Sequence, residues 1–184
     1  MLFSQTAFIA FFGLAASTTP APPDCSGDAY RQFDFWLGQW QVTTIDAQGV
    51  EQKAGENSVQ ADLKGCTVTE FWRGSRGING RSLNVYDRNS RQWKQFWVDN
   101  SGGVLELEGS SPKAGEMLMQ SKSSNGQIQR IHWQQLENGD VRQHWQSSTD
   151  NGSSWTTVFD GRYRRMDGHE AAKPTPNHAT SGAK

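Results

Sequence analysis

Short segments of alternating polar and apolar residues, separated by turn sequences, run through most of this chain. The turn sequences, such as Asn125-Gly126 and Asn138-Gly139, carry residues that tolerate the positive φ of tight hairpins. Turns recurring about every 9 to 14 residues are typical of an all-β meander. The predicted strands span 38–46, 53–62, 66–73, 80–87, 91–99, 103–110, 115–122, 127–136, 140–148 and 153–164. One short helix is predicted around residues 29–37.

Antiparallel strands joined in series leave two sheet edges that must be protected. Closing the sheet on itself removes both edges. Because sequential hairpins dominate, we predict a single antiparallel up-and-down β-barrel of about ten strands over residues 30–165, with a short N-terminal helix. A β-sandwich is the alternative.

The two ends of the chain lack the pattern of a folded domain. Residues 1–17 are predicted to be a signal peptide. Their apolar run is far shorter than the roughly 20 residues that span a bilayer, so a cleaved signal is favoured over a membrane anchor. Residues 18–29 are interpreted as a linker, and 166–184 as a disordered, solvated tail. We therefore expect a periplasmic or secreted protein with no stable membrane insertion. Nothing in the sequence indicates its oligomeric state.

Charge and cysteine content narrow the functional classes. The formal net charge is −1, so the basic footprint of a nucleic-acid-binding protein is absent. The chain contains 2 cysteines, Cys25 and Cys66, and in an exported protein an isolated pair favours a disulfide over two separate thiols. Neither cysteine has a neighbouring Cys or His at zinc-ligand spacing, so no metal site is predicted.

The predicted barrel begins with Phe33-Asp34-Phe35-Trp36-Leu37-Gly38-Gln39-Trp40. This FDFW-x-G-x-W opening resembles that of the calycins, which comprise the lipocalins, the fatty-acid-binding proteins and their bacterial relatives. In that group the Gly permits a tight turn into the first strand, and the Trp closes one end of the barrel. The resemblance implies that Trp40 is buried at a closed end.

A wider set of motifs resembles a group of exported bacterial proteins of unassigned function. The matching residues are Gly65, Cys66, Glu70 and Trp72; Trp93, Gln95, Trp97, Val98 and Asp99; Val141, Arg142, Gln143 and Trp145; and Phe159, Asp160, Gly161 and Tyr163. The resemblance covers about residues 33–164 and departs from the pattern at Gln146, where an acidic residue is expected. It implies a fold and no chemistry.

Ten-stranded relatives called nitrobindins bind haem through a His near the barrel end. The last predicted strand has no His, so we predict no cofactor.

The segment from Ser148 to Trp155 resembles an Asp-box, a hairpin turn found across β-proteins. Its defining residues here are Ser148, Asp150, Gly152 and Trp155. The Asp accepts backbone N–H groups within the turn and the Gly supplies positive φ. A single copy predicts a structural turn and gives no reason to expect a sialidase.

The candidate site follows from the alternation of side chains along the strands. Gln95, Trp97 and Asp99 share one face of their strand, as Glu70 and Trp72 share one face of theirs. Aromatic rings with a few polar groups are typical of a ligand cavity, although such residues can also fill a core. The predicted cavity residues are Glu70, Trp72, Asn84, Gln95, Trp97, Asp99, Arg142, Gln143 and Trp145. We expect a desolvated carboxylate here to have a raised pKa unless Arg73, Arg81 or Arg142 pairs with it. No catalytic residue is assigned.

The two domain histidines, His132 and His144, fall in one predicted hairpin. A two-residue Asn138-Gly139 turn would pair His132 with Trp145 and place the two imidazoles on opposite faces, where they cannot share a metal. A three-residue loop would shift the register and could place them on one face.

Three functions remain open at this point. The first is an exported barrel that binds a small hydrophobic or amphipathic molecule in its interior. The second is an envelope scaffold or interaction protein with a filled core. The third is a hydrolase or isomerase that uses Glu70, Asp99 or Arg142 in the cavity. An internal cavity of a few hundred Å3 would distinguish the first and third from the second.

Overall fold

The computed structural model describes residues 24–166. The predicted signal peptide (1–17), the first half of the predicted linker (18–23), the tail beyond Met166, and His169 and His178 lie outside the described residues. Within residues 24–166, no helix has the length and apolar character needed to cross a membrane.

Ten antiparallel strands follow one another in sequence order and close into a barrel. They are β1 (Gly38–Ile45), β2 (Glu51–Asp62), β3 (Thr67–Gly74), β4 (Asn79–Asp87), β5 (Gln92–Asp99), β6 (Val104–Ser110), β7 (Glu116–Gln120), β8 (Ile128–Gln135), β9 (Val141–Ser148) and β10 (Thr156–Arg165). Each strand pairs with the next, and β10 pairs with β1. The predicted up-and-down barrel is confirmed and the sandwich alternative is excluded. Sequence and structure differ most at the start of β10, because the preceding turn extends through Trp155.

The predicted N-terminal helix consists of two short 3-10 turns, Asp28–Arg31 and Asp34–Trp36, which bring aromatic residues onto one end of the barrel. Phe33 stacks on Trp36 with ring centroids 4.9 Å apart and packs edge-on against Trp133 at 5.2 Å. Trp40 is fully buried, and its indole N–H donates to the carbonyl of Trp36 over 2.9 Å. Phe33, Trp36, Trp40 and Trp133 are buried together and form an aromatic plug at this end of the interior.

The disulfide predicted between Cys25 and Cys66 is formed, with the two Cα atoms 4.9 Å apart. It ties the segment before the plug to the turn that immediately precedes β3. The Arg31 guanidinium donates to the carbonyl of Gly65 in that same turn. The N-terminal segment is thus held against the barrel by one covalent bond and one charged hydrogen bond.

The β8–β9 hairpin differs from the two-residue turn considered in the sequence analysis. Backbone hydrogen bonds from Leu136 to Asp140 and from Gly139 to Leu136 enclose a three-residue loop, with Gly139 at φ +83°. The register shifts by one residue, so His132 lies directly opposite His144. Of the two alternatives, the three-residue loop is the one observed, and the two imidazoles share a face because the loop length sets the register.

Both imidazoles lie on the outer surface of the barrel. His132 is 3.1 Å from a carboxylate oxygen of Glu116, and His144 is 3.0 Å from the hydroxyl of Thr157. Among residues 24–166 there is no cluster of three or more His, Cys, Asp or Glu side chains that could hold a metal ion.

Candidate ligand cavity

A cavity of about 350 Å3 lies in the barrel interior on the side away from the N-terminal aromatic plug. The antiparallel topology places the loops after β3 and β5 at the end opposite the plug, and Ile78 and Ser101 from these loops line the mouth. The walls come from inward-facing positions of β3, β5, β6, β8, β9 and β10. The barrel is therefore filled at one end and hollow at the other.

Most of the residues predicted from alternation line this cavity. Those found in the lining are Glu70, Trp72, Gln95, Trp97, Asp99, Gln143 and Trp145. Sequence reasoning missed Leu105, Ile131, Trp133, Phe159 and Tyr163, which also line the wall. The signal for Phe159 and Tyr163 was present in the Phe-Asp-Gly-x-Tyr motif, since residues two and four positions apart on a strand share a face. The inner wall carries six aromatic rings: Trp72, Trp97, Trp133, Trp145, Phe159 and Tyr163.

Arg142 does not line the cavity, which corrects the sequence prediction. It stands between buried Val141 and cavity-lining Gln143 on β9, so alternation directs its side chain outward. On the outer surface its guanidinium donates to both carboxylate oxygens of Asp160, over 2.8 and 2.6 Å. Consecutive strand residues cannot both face the interior, and Gln143 holds the inward position.

Asn84 is also absent from the lining, although it is fully buried. Its amide NH2 donates to the carbonyl of Val68 over 2.9 Å and to the hydroxyl of Ser82 over 3.0 Å. Its carbonyl oxygen accepts from the Gln95 side chain over 2.7 Å. Asn84 therefore positions the cavity-lining Gln95 and does not face the cavity itself.

Glu70 is the most unusual group in the cavity wall. Only 5% of its surface is exposed, and its two carboxylate oxygens accept from Asn57 over 2.8 Å and from Ser82 over 2.7 Å. Burial raises the pKa of Glu70 from the ordinary 4.5 to about 7, and the two hydrogen bonds only partly oppose this rise. Among residues 24–166, no cationic side chain pairs with this carboxylate.

The positions of Arg73 and Arg81, two of the arginines considered as partners of a cavity carboxylate, explain why the charge of Glu70 is not compensated. Arg73 and Arg81 alternate outward from β3 and β4, and Arg81 lies over the outward-facing Phe71 ring at 4.9 Å. They border a depression of about 590 Å3 that extends over the outer surface and is not enclosed by the barrel. The guanidinium groups are therefore on the wrong side of the sheet to pair with Glu70.

Asp99 is the second carboxylate in the wall and its environment is the opposite of that of Glu70. Its carboxylate accepts from the Ser101 hydroxyl, from the backbone N–H groups of Ser101 and Gly103, and from the Trp97 indole over 3.2 Å. These hydrogen bonds lower the pKa of Asp99 to about 2. Asp99 is thus ionised, and its hydrogen bonds stabilise the β5–β6 turn at the mouth.

The floor of the cavity is polar at one point. The Tyr163 hydroxyl donates to the side-chain carbonyl of Gln143, and burial together with the charge of Glu70 raises the pKa of this phenol well above its usual value. The indole N–H of Trp145 donates to Gln129 over 2.6 Å. Tyr163 therefore stays neutral. The hydrogen bonds fix the orientation of the Tyr163 ring, the Gln143 amide and the Trp145 ring, which a ligand in the cavity would contact.

The Asp-box residues form a tight turn outside the cavity. The Ser148 hydroxyl donates to Asp150 over 2.7 Å, and Asp150 in turn accepts the backbone N–H and hydroxyl of Ser154 over 2.8 and 2.6 Å. Gly152 has φ +87°, and the Trp155 indole donates to its carbonyl over 3.1 Å. All of these contacts lie within the turn, so its geometry is that of a structural element.

Comparison of the sequence with protein-family models found no matching family, and comparison with curated proteins found no match. Function is therefore inferred from the geometry of the cavity.

Proposed function

We propose that this protein is an exported, calycin-like β-barrel that binds a small hydrophobic or amphipathic molecule in its interior. The observation that carries this proposal is the cavity of about 350 Å3 lined by six aromatic rings and a few polar groups. Small-molecule sites have this character: apolar walls provide the binding energy, and a small number of polar groups orient the ligand. A barrel that served only as a scaffold would gain stability by filling the same space with side chains.

The disulfide supports the export part of the proposal. Disulfides persist in oxidising compartments and are rare in reducing ones, so the Cys25–Cys66 bond is typical of a periplasmic or secreted protein. The signal peptide proposed for residues 1–17 agrees with that location.

An enzymatic function receives less support from the geometry. Of the three candidate catalytic groups, Arg142 pairs with Asp160 on the outer wall, and Asp99 is occupied by the hydrogen bonds of its own turn. Glu70 alone remains available, and its two hydrogen-bond partners, Asn57 and Ser82, are not among the residues that line the cavity. Binding therefore accounts for more of the site than catalysis does.

The proposal is tested with a neutral apolar probe, N-phenyl-1-naphthylamine. We expect it to bind in the micromolar range, equivalent to about −8 kcal/mol, to quench tryptophan emission and to raise the melting temperature. Trp97→Phe should reduce the quenching while leaving the fold intact. Trp155→Phe, on the turn outside the cavity, is the matched control and should leave the quenching unchanged. Native mass spectrometry of protein purified from its source would identify a bound molecule by its added mass.

A packed scaffold makes the contrary prediction. If the probe and a broad panel of small molecules leave both emission and melting temperature unchanged, the cavity does not accept ligands and the scaffold function replaces this one.

A further inference from the structure

The charges that face the cavity are of one sign. Among its lining residues are two carboxylic acids, Glu70 and Asp99, and no Lys, Arg or His. The nearby arginines project from the outer wall, where Arg142 is paired with Asp160 and Arg81 lies over Phe71. A ligand that enters this cavity therefore meets acidic groups without any basic partner.

The aromatic rings of the cavity also favour a cationic ligand over an anionic one. The faces of Trp, Tyr and Phe carry partial negative charge, so they attract a cation and repel an anion. Six such rings surround the cavity that Glu70 borders. In the part of the chain that the structure describes, the Glu70 carboxylate receives hydrogen bonds only from two neutral groups, the Asn57 amide and the Ser82 hydroxyl. A ligand with a positively charged hydrogen-bond donor would supply the countercharge that this carboxylate lacks.

We infer that the ligand is an organic cation: a molecule with an aromatic or apolar body and an ammonium group that pairs with Glu70. This inference rests on the proposed binding function and specifies its ligand class. The body of the ligand packs among the rings and the ammonium reaches the buried carboxylate. Fatty acids and other apolar anions are disfavoured, because their carboxylate would face Glu70, Asp99 and the ring faces with no cation to neutralise it.

The pairing also links binding to pH. The other titratable groups that line the cavity are Tyr163 from β10 and Asp99 from β5, and the hydrogen-bond partners of Glu70, Asn57 from β2 and Ser82 from β4, do not titrate. Tyr163 stays neutral and Asp99 stays ionised around neutral pH, so only Glu70 changes charge there. A permanently charged ligand should bind more tightly as Glu70 loses its proton.

The test uses three probes that share a naphthalene body: 2-naphthylmethylamine as the cation, 2-naphthylmethanol as the neutral form and 2-naphthoate as the anion. Calorimetric titration at about pH 8, where Glu70 is mostly ionised, should show the amine binding at least about tenfold more tightly than the alcohol, with the naphthoate weakest. Glu70→Gln should weaken binding of the amine at least about tenfold more than binding of the alcohol, so that the preference for the amine is lost. Glu116→Gln, a matched change on the outer wall, should preserve the preference.

The possible outcomes separate the two proposals. If none of the three probes binds, the binding function itself fails. If the alcohol binds but the amine binds no more tightly, or the naphthoate binds best, the binding function stands and the cationic ligand class is overturned. Persistence of the amine preference in Glu70→Gln would overturn the role of Glu70.

If Glu70→Gln does not fold, the pH dependence of probe binding to the wild-type protein tests the role of Glu70. The affinity of (2-naphthylmethyl)trimethylammonium, which carries its charge at every pH, should increase at least about threefold from about pH 6 to about pH 8 as Glu70 ionises. The affinity of the neutral alcohol should stay constant over the same range. An equal response of the two probes would overturn the inference.

Discussion

The inward-facing Gly80 of β4 lies directly beneath the indole ring of Trp97 on β5. A Cβ atom at position 80 would stand closer than 3.0 Å to several atoms of that ring. The same arrangement occurs where Phe159 covers Gly161 and where Trp72 covers Gly55. The missing side chains thus give three aromatic rings of the cavity wall room to lie flat against the sheet.

Gly80→Ala should displace the Trp97 ring, because the added methyl occupies space that the indole now fills. The hydrogen bond from Trp97 to Asp99, now 3.2 Å long, would be lost with the movement. We expect altered tryptophan emission and at least about tenfold weaker probe binding, corresponding to roughly 1.4 kcal/mol. Fluorescence titration measures both effects. Gly27→Ala is the control, because nothing lies within 4 Å of a Cβ at that position. Unchanged binding by Gly80→Ala would show that Trp97 does not shape the site.

Trp40→Ala should destabilise the barrel by about 3–5 kcal/mol, because it removes a large, fully buried side chain from the plugged end. It also removes the hydrogen bond to Trp36 and the ring over which the Arg165 guanidinium lies at 4.4 Å. Urea unfolding measures the loss. Trp155→Ala, at the half-buried Asp-box turn, should lower the free energy of unfolding by less. A loss below about 1 kcal/mol for Trp40→Ala would contradict its role in the plug.

Stability should fall as the pH rises from about 4.5 to about 7, because the folded protein holds a proton on Glu70 that the unfolded chain has released. A rise of this size in the pKa corresponds to about 3 kcal/mol across that interval. Glu70→Gln should remove this decline in the free energy of unfolding, measured by urea titration at successive pH values.

The control for this pH dependence is His144. Burial lowers the pKa of His144 below 6.5, so the unfolded chain binds the extra proton and this residue makes stability rise with pH. His144→Gln should therefore make the wild-type decline steeper, the opposite of the effect of Glu70→Gln. Identical pH profiles for wild type and Glu70→Gln would mean that Glu70 titrates as it would in water.

Loss of the Cys25–Cys66 bond should lower the free energy of unfolding by about 4 kcal/mol in the chain-entropy model, given the sequence separation of 41 residues. The Cys25→Ala, Cys66→Ala double variant measures this loss without leaving a free thiol. Non-reducing mass analysis of exported protein should show no alkylatable thiol and a mass lower by two hydrogens. Two reactive thiols in the native, oxidised protein would contradict both the bond and the argument for export.

The local sequence was sufficient to predict the barrel, its turns and most of one wall of the cavity. Residues such as Asn138-Gly139 and Asp150-Asn151-Gly152 mark chain reversals because few other residues adopt the backbone angles required there. Alternation then groups Gln95, Trp97 and Asp99 on one face of β5 whatever the rest of the sheet does, because the period of a strand is two.

Which face points inward depended on pairing between strands, which no single segment contains. The three-residue loop at Gly139 set the β8–β9 register and brought His132 opposite His144. A bulge between Thr157 and Phe159 shifted the pairing of β10 with β9. One residue of register exchanges the two faces of a strand.

The charge environment of Glu70 was likewise decided by the closed sheet. In the sequence, Glu70 lies near Arg73 and shares a predicted site with Arg142, and an ion pair with either was a reasonable expectation. Alternation places Arg73 on the strand face opposite to Glu70 and Arg142 on the face opposite to Gln143, and closure makes those faces the outer surface and encloses Glu70 with Asn57 and Ser82. The sequence by itself determined that carboxylates and aromatic rings share the strands of one barrel. Only the tertiary structure decided that the cavity contains acid without base, because the sheet separates side chains that are neighbours along the chain.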